Sequence, residues 1–253
     1  MQTMNFIKLV TAYDTKYEVG QLASLTHELY CTVHSLDYEK FIIEDFERPP
    51  AWYKIKVILE ELTKNDHEYI LWVDADAFFV DFNFDLKYQI NNGLIDIRKS
   101  IHLTSHYISD IATQFPLVRA AKLRINSGVI LVKNCDESRN ILRNVWEQKQ
   151  FINHAWWEQA ALMHIIGHNC ELNGNDMSTN KPDDFYEKII GRLPAYMNCM
   201  PSPDENYHTE VLNPVIVHFA GIPNRINHAK ALIKNFKTIP PDRSIGIHSK
   251  TFL

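Results

Sequence analysis

The sequence predicts an α/β protein with a mostly parallel central sheet flanked by helices. Three observations lead there. β-rich apolar runs alternate along the chain with stretches of helical periodicity. From Phe6 to Asp74 the order is strand, helix, strand, helix, strand, which joins parallel neighbours through crossovers. Two aspartates, Asp74 and Asp76, stand directly behind the most continuous apolar run, Tyr69 to Val73, at the strand end where ligands of such sheets gather.

Phe6 to Ala12 (FIKLVTA) is the first strand, and a helix is expected from about Gln21 to His34. Phe41 to Ile43 forms a second strand. After the turn EDFERPP, Pro49 and Pro50 open a helix in which Trp52, Ile55, Ile58, Leu59 and Leu62 recur on one side. That helix delivers the chain to the strand ending at Asp74. RINSGVILVKN, Arg124 to Asn134, is a further strand, followed by a charged helix from about Glu137 to Gln148. HAWWEQAALMHIIG, His154 to Gly167, reads as a helix capped by its glycine. Asn169 to Tyr186 is rich in Asn, Asp, Ser and Pro and reads as loop. NPVIVHFAG, Asn213 to Gly221, is the last strand, with His218 near its end.

A chain of 253 residues with 45% apolar content, no internal repeat and no linker is expected to form one domain over residues 1–253, with about 225–253 as a basic C-terminal helix and tail. A net charge of −5 gives no global attraction for nucleic acid. Cys31, Cys135, Cys170 and Cys199 form no CxxC pair and bracket no histidines in a zinc spacing, so they read as reduced thiols. No apolar run approaches the ~18 residues of a membrane span. The first residues lack the pattern of a signal peptide. A cytoplasmic protein is the expectation.

The pair in EYILWVDADAFFVDF carries the chemistry. Two carboxylates at a strand end cannot both enter the core unpaired, so they need a cation. Hard divalent ions such as Mg2+ and Mn2+ suit carboxylate oxygens and bind substrate phosphates as well. Taken alone, D-x-D also fits a capped strand end.

WYKIKVILEEL, EYILWVDADAFFVDF, RINSGVILVKN, WWEQAAL and VIVHFAG follow one another in an order and spacing that resembles the galactosyl- and xylosyltransferase family of yeast mannan polymerase subunits and plant xyloglucan xylosyltransferases. The resemblance spans roughly Lys8 to Gly221. It implies a GT-A type, Rossmann-like domain and a glycosyltransferase that uses a nucleotide sugar with Mn2+ or Mg2+. The implied donors are UDP-galactose, UDP-xylose or GDP-mannose, a UDP-sugar ahead of a GDP-sugar. The implied acceptor is a glycan or lipid-linked glycan, with anomeric configuration retained.

Carried over residue by residue, Asp74, Asp76 and His218 are the implied metal ligands, Asp74 being shared with the nucleotide. Thr11, Ala12 and Tyr13 are expected at the nucleoside, with Tyr13 stacking on the base. Lys56 and Arg225 are expected at the phosphates, and Asn126, Ser127 and Gly128 beside the donor sugar. Glu158 and Gln159 are expected opposite the anomeric carbon. Where the family more often has Asp-Gln, this chain has Glu-Gln, which lengthens the acid by a methylene. His102, His106, His164 and His168 have no such support and read as structural or surface residues. Trp156, Trp157, Tyr186 and Tyr207 suit the apolar faces of sugars but equally suit ordinary packing.

The C-terminal stretch NRINHAKALIKNFKTIPPDR has Arg225, Lys230, Lys234, Lys237 and Arg243, with Ile226, Ala229, Ile233 and Phe236 on one helical face. Such a helix either packs back on the domain or rests peripherally on an anionic membrane surface. Two rival functions remain at this level. One is a non-catalytic nucleotide-sugar-binding subunit of a glycan-assembly complex. The other is a haloacid-dehalogenase-type phosphatase, which also places D-x-D after a strand, though usually the first one.

Overall fold

The computed structural model describes residues 5–107, 123–167, 188–201 and 213–236. Six strands, β1 (Asn5–Tyr13), β2 (Asp37–Ile42), β3 (His67–Val73), β5 (Ile101–Tyr107), β6 (Leu123–Lys133) and β7 (Ile190–Leu193), make a central sheet ordered β2-β1-β3-β6-β5-β7. A separate antiparallel pair joins β4 (Ala77–Phe79) to β8 (Ile216–His218). β1 runs parallel to β2 and β3, and β5 to β7, whereas β6 runs antiparallel to both β3 and β5. The sheet is therefore mostly parallel, with β6 as its reversed strand.

The flanking helices are α1 (Glu18–His34), α2 (Tyr53–Lys64), α3 (Leu86–Asn91), α4 (Asp136–Trp146), α5 (Trp157–Ile165) and α6 (Arg225–Phe236). A 3-10 turn, Pro50–Trp52, leads into α2, whose end is set by Asn65 in the left-handed region at φ 56°. Asparagine tolerates that conformation, and the chain turns there directly into β3.

Side-chain alternation along β3 builds the core on both faces of the sheet. Ile70 and Trp72 pack with Ile55, Ile58 and Leu62 of α2 and with Leu142 and Val145 of α4. Tyr69, Leu71 and Val73 point the other way, toward Tyr30 of α1, Leu86 and Ile90 of α3, and Ile216 of β8. Each such fully buried side chain contributes about 1.5–3 kcal/mol relative to exposure. A third cluster joins Val19 and Ala23 of α1 to Phe78 of β4 and Ala229 of α6. The apolar side of α6 is thus spent on the domain, and Lys230 pairs with Glu18 at 2.7 Å. Lys237 and Arg243 lie outside the described residues, as do the Asn169–Tyr186 stretch, His168, Cys170 and Tyr207.

Several sequence expectations change. The strand expected over Arg124 to Asn134 spans Leu123–Lys133 and runs antiparallel to both neighbours, a direction the pattern does not specify because an apolar run reads alike either way. The strand expected over Asn213 to Gly221 contracts to Ile216–His218 and leaves the main sheet to pair with β4. The helix expected from His154 begins at Trp157, since His154 and Trp156 are used in the preceding turn. β4, β5, β7 and α3 were not anticipated. Among the described residues, no helix is long and apolar enough to cross a membrane.

Candidate active site

The pairing of β4 with β8 sets Ala77 opposite His218. It thereby brings the histidine to the two acids that precede β4. The Asp76 carbonyl accepts from the Phe219 N–H at 2.9 Å, and the Asp74 N–H donates to the Gly128 carbonyl at 2.8 Å. One donor atom each from Asp74, Asp76 and His218 lies within 4.8 Å of the others.

The imidazole is oriented by its neighbours. Asn198 donates its amide to Thr104 Oγ1 and to Asn126 Oδ1, both at 2.9 Å, which leaves its oxygen facing His218 Nδ1 at 2.9 Å. Nδ1 must then be the donor, so in neutral His218 the lone pair sits on Nε2. Nε2 stands 3.2 Å from Asp76 Oδ1 and 3.7 Å from Asp74 Oδ2. Two carboxylates and an imidazole lone pair held by an amide fit a hard to borderline divalent ion such as Mn2+.

Gly128 is required by this arrangement. A Cβ there would come within 2.1 Å of His218 Cε1 and 2.9 Å of Asn126 Oδ1. The missing side chain makes room for the histidine ring, a packing reason for the glycine beside its place in the cavity lining.

Electrostatics hold Asp76 ionised. Burial alone would raise the Asp76 carboxyl, but the hydrogen bond and charge of His218, with Arg225 and Lys54, bring it down to about 2. Arg225 Nη1 donates to Asp76 Oδ2 at 2.6 Å and to the Tyr17 hydroxyl at 3.0 Å.

Beyond Asp74 lies a second group of charges. Lys54 Nζ is 3.0 Å from Asp74 Oδ1 and 2.8 Å from Glu158 Oε1, and donates to the Ser127 carbonyl at 2.8 Å. The Trp72 indole also donates to Asp74 Oδ1, at 2.6 Å. Burial by itself would depress the Lys54 ammonium, and the two carboxylates override it and raise its pKa. Burial pushes the Glu158 carboxyl above the ordinary range, against the pull of Lys54. Ser127 Oγ donates to Glu158 Oε1 at 2.9 Å, while Oε2 is buried without a hydrogen-bond partner among the described residues. The Gln159 carboxamide oxygen accepts from the Ser127 N–H at 3.0 Å.

A cavity of about 640 Å3 opens onto this cluster, with Lys54, Asp74, Asp76, Glu158 and His218 in its lining. Of the residues expected from sequence, it gathers Asp74, Asp76, His218, Asn126, Ser127, Gly128, Glu158, Gln159 and Arg225. It does not gather Lys56, which is half-exposed with its ammonium 3.8 Å from Glu47. The lysine that lines the cavity is Lys54, which sequence reasoning missed. At about 100° per helical residue, Lys54 falls on the buried side of α2 with Ile58 and Glu61, and Lys56 on the opposite side. That pattern was available in the sequence.

Thr11, Ala12 and Tyr13 also lie outside the cavity lining. Thr11 is buried. Tyr13 is buried with its hydroxyl 2.9 Å from Ser24 Oγ, and its ring leaves no space for a Cβ on Gly20. It presents no open face for a base, so the stacking expectation is corrected. His102 is buried with Nε2 on the Asp96 carbonyl, a structural role.

Residues 24–227 match the galactosyl transferase GMA12/MNN10 family. No curated protein matches in sequence. Among solved structures, one similar chain is a glycosyltransferase involved in the glycosylation of the major capsid of PBCV-1. It has 15% identity and a TM-score of 0.62, with 90% of this chain and 99% of that one covered. Another is mouse xyloside xylosyltransferase 1 in its apo form, at 12% identity and a TM-score of 0.48, with 87% and 98% covered. The first likeness supports the fold, which is of the GT-A type.

Proposed function

The chain belongs to the galactosyl transferase GMA12/MNN10 family and is a glycosyltransferase, and from that premise we propose that it moves a hexosyl or pentosyl unit from a nucleoside-diphosphate sugar to a glycan hydroxyl, with retention. UDP-galactose, UDP-xylose and GDP-mannose are the donors considered, UDP-sugars first. The observation that carries the reading is the convergence of Asp74, Asp76 and an Asn198-oriented His218 on one point of the cavity.

Asp74, Asp76 and His218 would hold Mn2+ or Mg2+, which when bound supplies positive charge against the leaving diphosphate. The chain's own residues do the rest. Arg225, partly exposed beside Asp76, meets phosphate oxygens and stabilises charge as the bond to the sugar breaks. Lys54 holds the carboxylates of Asp74 and Glu158 in fixed orientation. The unpartnered Oε2 of Glu158 is a buried acceptor that a donor-sugar hydroxyl would satisfy. Gln159, adjoining it, is the polar group proposed opposite the anomeric carbon.

The test is thermal unfolding against UDP- and GDP-sugars, each with and without Mn2+, on the wild type and Asp76→Ala. A Mn2+-dependent rise with one nucleotide class, lost in the variant, is the expected result. A wild type that no nucleotide stabilises, with or without metal, overturns the proposal.

A further inference from the structure

One wall of the cavity is not used by the chemistry above. Trp157, the first residue of α5, has φ +42°, in the left-handed region that bulky side chains adopt only when the surroundings impose it. The surroundings do impose it. The Trp157 N–H donates to the His154 carbonyl at 3.0 Å, and the Trp156 N–H donates to His154 Nδ1 at 3.0 Å. On the other side Glu158 is anchored by Lys54.

The strain does not place the ring in the core: among the described residues Trp157 belongs to none of the apolar clusters. Trp157 is 43% exposed, and among the described residues its ring has no aromatic or cationic partner. Its neighbour Trp156 instead packs against the core. Met200, 38% exposed, lines the same cavity, as do the small side chains of Ala51 and Ala155. These lining side chains are uncharged, unlike those of Asp74, Asp76 and Arg225.

We propose that Trp157 is the platform of an acceptor subsite, taking the apolar face of a neutral pyranose ring in the glycan whose hydroxyl attacks. The inference rests on the transferase reading above. If the diphosphate lies at Asp74, Asp76, His218 and Arg225, the donor sugar extends toward Glu158 and Gln159 and the base extends away from them. An aromatic ring adjoining Glu158 is therefore on the sugar side, where the acceptor approaches. A flat indole matches the C–H face of a sugar, and Trp157, Met200, Ala51 and Ala155 offer no charge to a phosphorylated ring.

The experiment uses Trp157→Gly and Trp157→Phe. Glycine is at home at this φ, so Trp157→Gly keeps or raises the unfolding temperature and separates folding from binding. In transfer assays the acceptor KM of Trp157→Gly is expected to rise at least about tenfold while the donor KM changes less than about twofold, and Trp157→Phe stays within about threefold of wild type. Saturation-transfer NMR with the methyl glycosides of mannose, galactose, glucose and xylose, without nucleotide, reads the subsite directly. Wild type and Trp157→Phe are expected to show transfer to at least one of them, and Trp157→Gly none. Absence of transfer in the wild type, undiminished transfer in Trp157→Gly, or a parallel rise of donor and acceptor KM overturns the inference. Failure of nucleotide binding with an intact NMR contrast overturns the donor reading and leaves the sugar platform standing.

Discussion

Two buried lysines in this protein stand in opposite electrostatic situations. Lys8 of β1 bonds to Glu61 at 2.7 Å and also to Glu39, and Lys64 pairs with both of those glutamates. Two cations and two carboxylates close on one another. Lys54 shares its ammonium between Asp74 and Glu158, while Arg225 serves Asp76. There, two cations face three carboxylates, and one carboxylate oxygen has no partner. The first cluster is complete as folded. The second is left with negative charge and an unused acceptor beside a cavity, which suits a divalent cation and a sugar hydroxyl. A buried ion pair by itself says little about function; what it leaves unsatisfied says more.

Breaking the open cluster should have the largest effect. Lys54→Met leaves Asp74 and Glu158 without their shared cation, and a loss of about 3–5 kcal/mol is expected in chemical denaturation, with transfer activity abolished. Adding Glu158→Leu should recover stability without recovering activity. A double variant with both restored would dissolve the distinction between the two clusters.

A buried group with no charged partner sharpens the contrast. His27 is fully buried, Nε2 lies 2.7 Å from the Ala77 carbonyl, and burial depresses its pKa from 6.5 to about 4. Above pH 6.5 it is neutral in both folded and unfolded chains and has no effect on pH dependence. As pH falls toward 4, the unfolded chain binds a proton that the native one does not, so about 3 kcal/mol of stability is lost. His27→Gln should flatten this part of a denaturation-versus-pH curve; an unchanged slope would assign the acid loss elsewhere.

Asn198→Leu removes the acceptor that fixes the His218 tautomer. Mn2+ affinity, read by titration of the unfolding temperature, is expected to fall about 10- to 100-fold. Equal affinity in the variant would show that the amide does not orient a ligand. The smallest effect is predicted for Lys8→Met. Glu61 keeps Lys64 and Glu39 is partly exposed, so about 1 kcal/mol is lost and transfer is unchanged. A loss comparable to that of Lys54→Met would mean that the closed cluster is no more self-sufficient than the open one.

Legibility differed by residue for physical reasons. Asp74 and Asp76 stood out because a continuous apolar run followed by acids is a local pattern. His218 and the Asn126 to Gly128 segment emerged through several motifs taken together. Lys54 was passed over for Lys56 although the helical phase of α2 separates them, and the apolar stripe was not extended by one turn to the lysine beneath it. Asn198 had no local pattern, because its role exists only where the segment after β7 meets β8. β7 is short, and β5 alternates polar and apolar residues, so neither stood out as a run.

The sequence by itself determined the α/β class and the β3 strand with its acidic end, because periodicity and charge are properties of neighbours in the chain. Only the tertiary structure decided that Lys54 joins Asp74 to Glu158, that Gly128 makes way for His218, and that Asn198 sets its tautomer. It also decided that Tyr13 is packed away while Trp157 is displayed. Those outcomes depend on which strand ends meet in space, and the cost of burying charge and the exclusion of overlapping atoms act only once they have met.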